Sequence, residues 1–188
     1  MRVRLMIWAM MAALSVSAQT TMRDVLRQMP DSLLPYLTEN NRLDMIDFID
    51  SGMRAEVSNI FDGKSELTRL TDNYARLWLN QAVTFEMQLL EVTEPVDSAM
   101  QIVCMVTTYG TDIRESTVEF YSLQWKSLTD GRWLAPDYMF RASLGDELPT
   151  LTITPECRLE DAPANKEQEE ITKPSTILKW DGKSFKES

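Results

Sequence analysis

Two long extended segments follow one another between residues 83 and 109, and they constrain the fold more than any other part of the sequence. Over residues 83–89 apolar side chains alternate with polar ones, which is the period of a strand with one buried face. Residues 100–109 are apolar at both parities, which predicts a strand covered on both faces near the middle of a sheet. We therefore expect helices to pack onto a sheet built around this pair, and the chain termini to form its edges.

The N-terminal part of the sequence predicts two short amphipathic helices. Thr21 and Asp24 have the spacing of a capping box, and apolar residues then recur at helical spacing up to Pro30, which ends the first helix. Asn41 is a suitable N-cap for a second helix, and Gly52 is placed to end it. Both helices need a surface to cover with their apolar sides.

The remainder of the chain predicts strands joined by turns. Asp130–Gly131 is a favoured hairpin pair, and Asp181–Gly182 marks a last hairpin near the C-terminus. Predicted strands cover residues 66–71, 74–80, 116–128 and 148–154, the last as an exposed edge. This order predicts an α+β fold, with two or three N-terminal helices packed on one face of an antiparallel meander sheet of about six to eight strands.

The first residues have the features of a secretory signal peptide. Arg2 and Arg4 precede an apolar run over residues 5–14, and small residues lead up to Ala18. The apolar run is shorter than the roughly 20 residues of a transmembrane anchor. We therefore predict a signal peptide at residues 1–18, a single domain at residues 19–188, and a periplasmic or secreted protein without a transmembrane anchor.

The charge of the chain restricts its partners. It has 29 acidic and 19 basic residues, a formal net charge of −10. An acidic surface repels phosphate backbones and anionic membranes, so we expect no nucleic-acid partner. Residues 156–170 are rich in acidic residues, proline and asparagine, which predicts a solvated acidic loop.

The absence of histidine excludes the commonest catalytic designs. Without histidine the chain has no Ser-His-Asp or Cys-His arrangement and no histidine metal ligand. Its six glycines form no phosphate-binding loop. We therefore predict no catalytic residue, no metal site and no cofactor.

Carboxylates are the catalytic resource that remains. Asp44 and Asp47 lie three residues apart on the predicted second helix, so their side chains are neighbours on its surface. One interpretation is a calcium site or half of an acid–base pair for glycan hydrolysis. The simpler interpretation is a charged helix start and a solvated helix face, which the missing EF-hand spacing favours.

Large aromatic side chains suggest a second kind of site. They would either fill the core or line a concave face that grips a peptide or a sugar. The candidate binding residues among them are Trp78, Tyr121, Trp125 and Trp180.

The two cysteines, Cys104 and Cys157, would meet an oxidising compartment after export, so a disulfide between them is allowed. The alternative is that Cys104 is a small apolar residue in a buried strand.

Three blocks of the sequence resemble a known family. They are PDSLLPYLTENNRLDMIDFID at residues 30–50, YGTDIRESTVEFYSLQWKSL at residues 109–128 and ILKWDGKSF at residues 177–185. They are similar to secreted or periplasmic proteins of unknown function confined to Bacteroidales. The resemblance implies an exported protein from a bacterium of that group and assigns no activity.

The sequence therefore predicts an exported, non-catalytic module that engages another envelope protein. The alternative is a protein that binds a glycan, or hydrolyses one with carboxylates. Exposed tryptophans would favour glycan binding, and a pair of carboxylates in a cleft would favour hydrolysis.

Overall fold

The computed structural model describes residues 19–129, 131–156 and 174–187. Within these residues the helices are α1 (Met22–Gln28) and α2 (Glu39–Asp50), with a 3-10 turn at Asp31–Leu33 between them. The strands are β1 (Glu56–Ser58), β2 (Lys64–Leu70), β3 (Tyr74–Asn80), β4 (Val83–Val96), β5 (Ala99–Tyr109), β6 (Glu115–Ser122), β7 (Phe140–Leu144), β8 (Thr150–Pro155), β9 (Thr176–Trp180) and β10 (Phe185–Glu187). No helix in this part of the chain is long and apolar enough to cross a membrane.

The predicted α+β fold class is wrong, because the described chain is mostly β and its strands form two sheets rather than one. Strands β1 to β6 make a six-stranded sheet in sequence order, and the second sheet has the order β10-β9-β8-β7. All strand pairs of both sheets are antiparallel, as predicted. A single meander of six to eight strands was expected because the sequence carries no clear signal that the chain changes sheets after β6.

The six-stranded sheet lies between the helices and the four-stranded sheet. Apolar side chains of α1 and α2 pack with one face of the first sheet, where Leu77 and Met87 are fully buried. The opposite face packs against the second sheet, with Cys104 and Leu151 fully buried between them. The described part of the molecule therefore has three layers and two separate apolar cores.

Capping bonds define the start of both helices. Thr21 and Asp24 form the predicted capping box of α1. Helix α2 begins two residues before the predicted N-cap, because Thr38 is the N-cap and Asn41 occupies the N3 position. The Asn41 amide donates to Thr38 Oγ1 (3.2 Å) and the Thr38 amide donates to Asn41 Oδ1 (3.1 Å). Two reciprocal bonds satisfy two helix-terminal donors at once.

The burial or the sheet position of three strands, β4, β5 and β8, differs in part from what the sequence predicted. Strand β5 is buried on both faces as predicted, although it is the fifth of six strands rather than a central one. Strand β4 is covered on both faces too, since Glu86 and Gln88 are only 6% and 3% exposed. The predicted edge strand β8 lies between β7 and β9. Asp130 of the predicted hairpin pair lies outside the described residues.

Side chains of the first sheet complete the free edge of the second. Among the described strands, β7 is an edge strand that pairs with β8 alone. Its Ala142 amide donates to Ser116 Oγ (2.8 Å), and its Leu144 amide donates to Glu86 Oε2 (2.7 Å). Because a buried amide without a partner is costly, these two side chains take the place of a missing strand neighbour.

Candidate functional site

A polar cleft of about 720 Å³ opens between β7 and the first sheet, and we call it the arginine cleft. Four arginines line it, from β2, β3, β7 and the loop between β5 and β6, together with two carboxylates. The charged lining residues are Arg69, Arg76, Arg114, Arg141, Glu86 and Asp146. Four cations against two anions make this cleft positive on a chain whose net charge is −10.

Three of the four arginines have a carboxylate partner. The Nη2 atom of Arg69 lies 3.3 Å from Asp146 Oδ2, and the Nε atom of Arg141 lies 3.7 Å from Glu156 Oε1. Both arginines are about half exposed, so water weakens their ion pairs with Asp146 and Glu156. An incoming anion therefore competes with weak carboxylate partners for these two arginines. The third pair joins Arg76 Nε to Glu86 Oε1 at 3.4 Å.

Arg114 differs from the other three. It is half-buried, and its Nε donates to the carbonyl of Thr111 at 3.4 Å. Among the described residues no carboxylate lies within ion-pair distance of Arg114. Its planar guanidinium matches a carboxylate in a two-point contact, so Arg114 is the group best prepared to hold an anion.

Glu86 is the buried acid of the arginine cleft. Burial raises its pKa, although the Leu144 amide, the Arg76 charge and a bond from Tyr74 act in the opposite direction. Tyr74 is 3% exposed, and burial followed by the charge of Glu86 raises its pKa as well. A perturbed carboxyl in a cleft is a feature of acid–base catalysts. Here the bond to Leu144 gives Glu86 a structural task that accounts for its burial.

A second cleft, of about 470 Å³, lies where the β9–β10 hairpin meets β4, and we call it the tryptophan cleft. Its polar and aromatic lining consists mainly of one aromatic side chain, three amide side chains and two carboxylates. These residues are Trp180, Asn73, Gln88, Gln101, Glu91 and Glu147. In contrast to the arginine cleft, the lining includes no lysine or arginine among the described residues.

Trp180 is held firmly on one side of this second cleft. Its ring stacks on Phe120 with centroids 6.1 Å apart and meets Phe185 edge-on at 5.2 Å. Its indole N–H donates to the carbonyl of Glu91 at 2.6 Å. These contacts fix the orientation of the ring, which remains partly exposed at the cleft.

The sequence is similar to a family without an assigned activity. The family described as "Protein of unknown function (DUF3256)" matches residues 13–144. The chain belongs to the DUF3256 family. The matched span includes the four arginines of the arginine cleft and Glu86, whereas Trp180 lies beyond it.

A solved structure resembles this DUF3256 protein in fold. It is the structure of a domain of an uncharacterized protein from Porphyromonas gingivalis W83, with a TM-score of 0.70 and 20% sequence identity. The similarity covers 89% of this chain and 97% of the other. At this identity the two proteins share a fold, and nothing more is carried over. No curated protein matches the chain.

The two aspartates singled out from the DUF3256 sequence lie apart from both clefts. Asp44 and Asp47 are exposed on α2, whose Met45 and Ile46 are buried against the first sheet. Neither aspartate lines the arginine cleft or the tryptophan cleft. Among the described residues no group of three or more His, Cys, Asp or Glu side chains is placed to hold a metal ion.

The candidate aromatic residues do not share one face. Tyr121 and Trp125 are on the helix side of the first sheet, with ring centroids 5.9 Å apart. Burial and the neighbouring Glu119 raise the pKa of Tyr121 to about 12. Trp78 is half-buried in β3 and lines neither cleft. Of the four candidates, Trp180 is the one that lines either of these two clefts.

The disulfide between Cys104 and Cys157 stays a prediction. Cys104 is fully buried in the core between the sheets, where burial raises the pKa of its thiol. Cys157 lies outside the described residues, as does most of the predicted acidic loop at residues 156–170.

The four arginines of the arginine cleft were not predicted as site residues from the sequence. They are scattered from residue 69 to residue 141, and no spacing along the chain relates them. Their meeting depends on the second sheet covering only part of the first. The one available signal was Glu86, a charged residue inside a strongly apolar strand pair.

Proposed function

We propose that this DUF3256 protein is an exported, non-catalytic binding protein of the bacterial envelope, and that it holds an acidic segment of a partner protein in the arginine cleft. The observation that carries the proposal is the convergence of four arginines on one cleft of a chain with net charge −10. Clustered positive charge in an acidic protein attracts and orients a negative partner at that place alone.

The chemistry of the arginines favours carboxylates. The cleft already contains three arginine–carboxylate pairs, and Arg114 offers a guanidinium without such a partner in the described part of the chain. A volume of about 720 Å³ suits a few side chains of an inserted segment. A nucleic acid would extend over the acidic surface beyond the cleft, which disfavours it.

Export and a Bacteroidales origin have separate support. The N-terminal residues have the charge, apolar and small-residue order of a signal peptide. The structural neighbour from Porphyromonas gingivalis agrees with a protein from that bacterial group. Cleavage after Ala18 would leave a mature chain that begins at Gln19 in the periplasm or outside the cell.

Carboxylate-dependent glycan hydrolysis, the alternative from the sequence, has less support. Its candidate residues Asp44 and Asp47 are exposed on α2 and line no cleft. Hydrolysis requires two carboxyl groups on opposite sides of a bound glycosidic bond.

The cleft is tested by titrating the mature protein with an oligo-glutamate peptide in a calorimeter at low salt. We expect binding, and we expect Arg114→Gln to weaken it about tenfold, because a charge-assisted hydrogen bond is lost. Arg114→Lys restores the charge without the two-point geometry and is expected to recover part of the affinity.

Arg54→Gln is the matched control. Arg54 is 67% exposed, pairs with Glu56 and Glu66, and lies outside both clefts. Its replacement removes the same charge and is expected to leave the affinity unchanged. The proposal fails if oligo-glutamate does not bind the wild-type protein, or if the two glutamine variants weaken binding equally.

A protein partner is tested by photo-crosslinking in cells of the native producer. The crosslinking residue replaces Ser143, which is exposed at the arginine cleft, and in a control it replaces Asp47 on α2. We expect one envelope protein to be captured from position 143 and not from position 47. Equal capture from both positions would place the partner elsewhere.

Export is tested by sequencing the N-terminus of the protein recovered from the envelope fraction. We expect it to begin at Gln19. Recovery of the full chain, with Met1 and its neighbours, from the cytoplasm alone would refute export.

A further inference from the structure

We infer that the tryptophan cleft is a binding site for a neutral carbohydrate, separate from the arginine cleft. The two clefts share no lining residue, although their linings adjoin at Asn73 and Tyr74 and in the loop between β7 and β8, residues 145–149. The inference does not depend on what the arginine cleft binds.

The first observation is a buried hydrogen-bond acceptor without a partner. Gln88 is 3% exposed and lines the tryptophan cleft. Its Nε2 atom donates to the carbonyls of Gly145 (2.7 Å) and Leu148 (3.0 Å), which fixes the orientation of the amide. Its Oε1 atom has no hydrogen-bond partner in the described protein. A ligand hydroxyl is a donor that would satisfy this oxygen.

A second amide in the same cleft has unused hydrogen-bonding capacity. Gln101 is 8% exposed, and no described residue forms a hydrogen bond with its side chain. An amide both donates and accepts, as a sugar hydroxyl does. The cleft of about 470 Å³ is thus lined by one buried acceptor without a partner, on Gln88, and by the side-chain amide of Gln101.

The third observation is the fixed ring of Trp180. Its contacts with Phe120, Phe185 and the Glu91 carbonyl hold the ring in place before any ligand arrives. A rigid, partly exposed aromatic surface packs well against the C–H face of a pyranose ring. Little conformational freedom is lost on binding when the protein side is already fixed.

The charges of the cleft select against an anionic ligand. Glu91 and Glu147 line it, and the described lining includes no lysine or arginine. An acidic sugar or peptide would meet two carboxylates without a compensating cation. Hydroxyl-bearing, uncharged sugars therefore fit this lining better than the acidic ligands that suit the arginine cleft.

The test is calorimetric titration of the full mature protein with three neutral tetrasaccharides, built from glucose, mannose or N-acetylglucosamine. We expect at least one to bind in the micromolar to millimolar range. Gln101→Leu is expected to weaken that binding about fivefold to tenfold, as the loss of one or two hydrogen bonds would. Trp180→Phe keeps an aromatic ring next to Phe120 and is expected to weaken it by a similar factor.

Two controls make the result specific. Gln124→Leu alters an exposed glutamine outside the cleft and is expected to leave sugar affinity unchanged. Arg114→Gln is expected to leave it unchanged as well, which separates this inference from the arginine cleft. Failure of all three tetrasaccharides to bind at millimolar concentration would overturn the inference, and so would equal losses in Gln101→Leu and Gln124→Leu.

Discussion

The arginine cleft and the tryptophan cleft begin from two side chains on the same strand. Glu86 and Gln88 are two residues apart in β4, so they lie on the same face of the first sheet. Both are nearly buried, and both hold the end of β7 or the loop that follows it. Of these two neighbouring positions, one thus lines the positive arginine cleft, and the other lines the tryptophan cleft with its amides and two carboxylates. The arginine cleft takes its cations from other strands and loops, whereas five of the eleven residues that line the tryptophan cleft lie in β4.

The two clefts also share a wall. Gly145 and Asp146 line the arginine cleft, while Glu147 and Pro149 line the tryptophan cleft. The amide of Gln88 fixes this loop through two carbonyl groups. A substitution in one cleft should therefore leave ligand binding in the other cleft unchanged. Four experiments test this independence and the contacts of Glu86 that hold β7.

Trp180→Ala should have the largest effect. It removes ring contacts with Phe120 and Phe185 and the bond to the Glu91 carbonyl, which we expect to lower the free energy of unfolding by about 3 kcal/mol. Urea denaturation measures this loss. Oligo-glutamate binding should survive in the folded variant, since β7 is held by Ser116 and Glu86. If acidic-peptide binding disappears with the folded state intact, the two clefts are not separate.

Glu86→Ala should have the next largest effect. It leaves the buried Leu144 amide without its acceptor, and we expect a loss of about 2 kcal/mol in the free energy of unfolding. Glu86→Gln retains an acceptor oxygen and should lose less than half as much. Urea denaturation of both variants measures the difference. Equal losses would mean that the carboxylate charge, rather than the bond to Leu144, is what stabilises the edge of β7.

Salt should distinguish the ligands of the two clefts. Raising ionic strength screens charges at half-exposed groups such as Arg69 and Arg141. We expect oligo-glutamate to bind about threefold to tenfold more weakly in high salt, because its binding depends on charge. Neutral tetrasaccharide binding, measured in the same calorimetric series, should change little. A similar salt dependence for both ligands would contradict the assigned difference in lining charge.

The smallest effect expected is that of pH on Glu86. Burial raises the pKa of Glu86 above the ordinary value of 4.5, so the folded state binds the proton more tightly than the unfolded state. Its stabilising contribution is therefore present below pH 4.5 and is lost as pH rises through the folded-state pKa.

The measurement is the free energy of unfolding of the wild type minus that of Glu86→Gln, taken from about pH 4 to about pH 7. This difference should decrease as pH rises, and the comparison cancels the carboxylates that both proteins share. A difference that increases with pH would show that the pairs with Arg76 and Leu144 outweigh burial.

Local signals in the sequence were sufficient to predict several secondary-structure elements. The capping box of Thr21 and Asp24 and the apolar spacing behind it correctly predicted α1. The two-sided apolar pattern of residues 100–109 correctly predicted a strand buried on both faces. These predictions succeeded because the deciding interactions lie within a few residues of one another or in the composition of a single strand.

Other predictions failed where a distant part of the chain supplied the deciding contact. Alternation over residues 83–89 indicated one polar, exposed face, but the second sheet covers that face and buries Glu86 and Gln88. Residues 148–154 have the pattern of an edge strand, and the β9–β10 hairpin covers β8 instead. Alternation of apolar and polar residues shows that one face of a strand is polar. It does not show whether another sheet packs on that face.

The sequence by itself determined the capping box of α1, most of the strands, the acidic charge and the absence of histidine chemistry. Only the tertiary structure decided that the strands divide into two sheets, and that division creates both clefts. Arg69, Arg76, Arg114 and Arg141 come from four different places in the chain. They meet because the first sheet extends beyond the edge of the second, and such an overlap depends on the packing of whole layers rather than on any local preference of the residues.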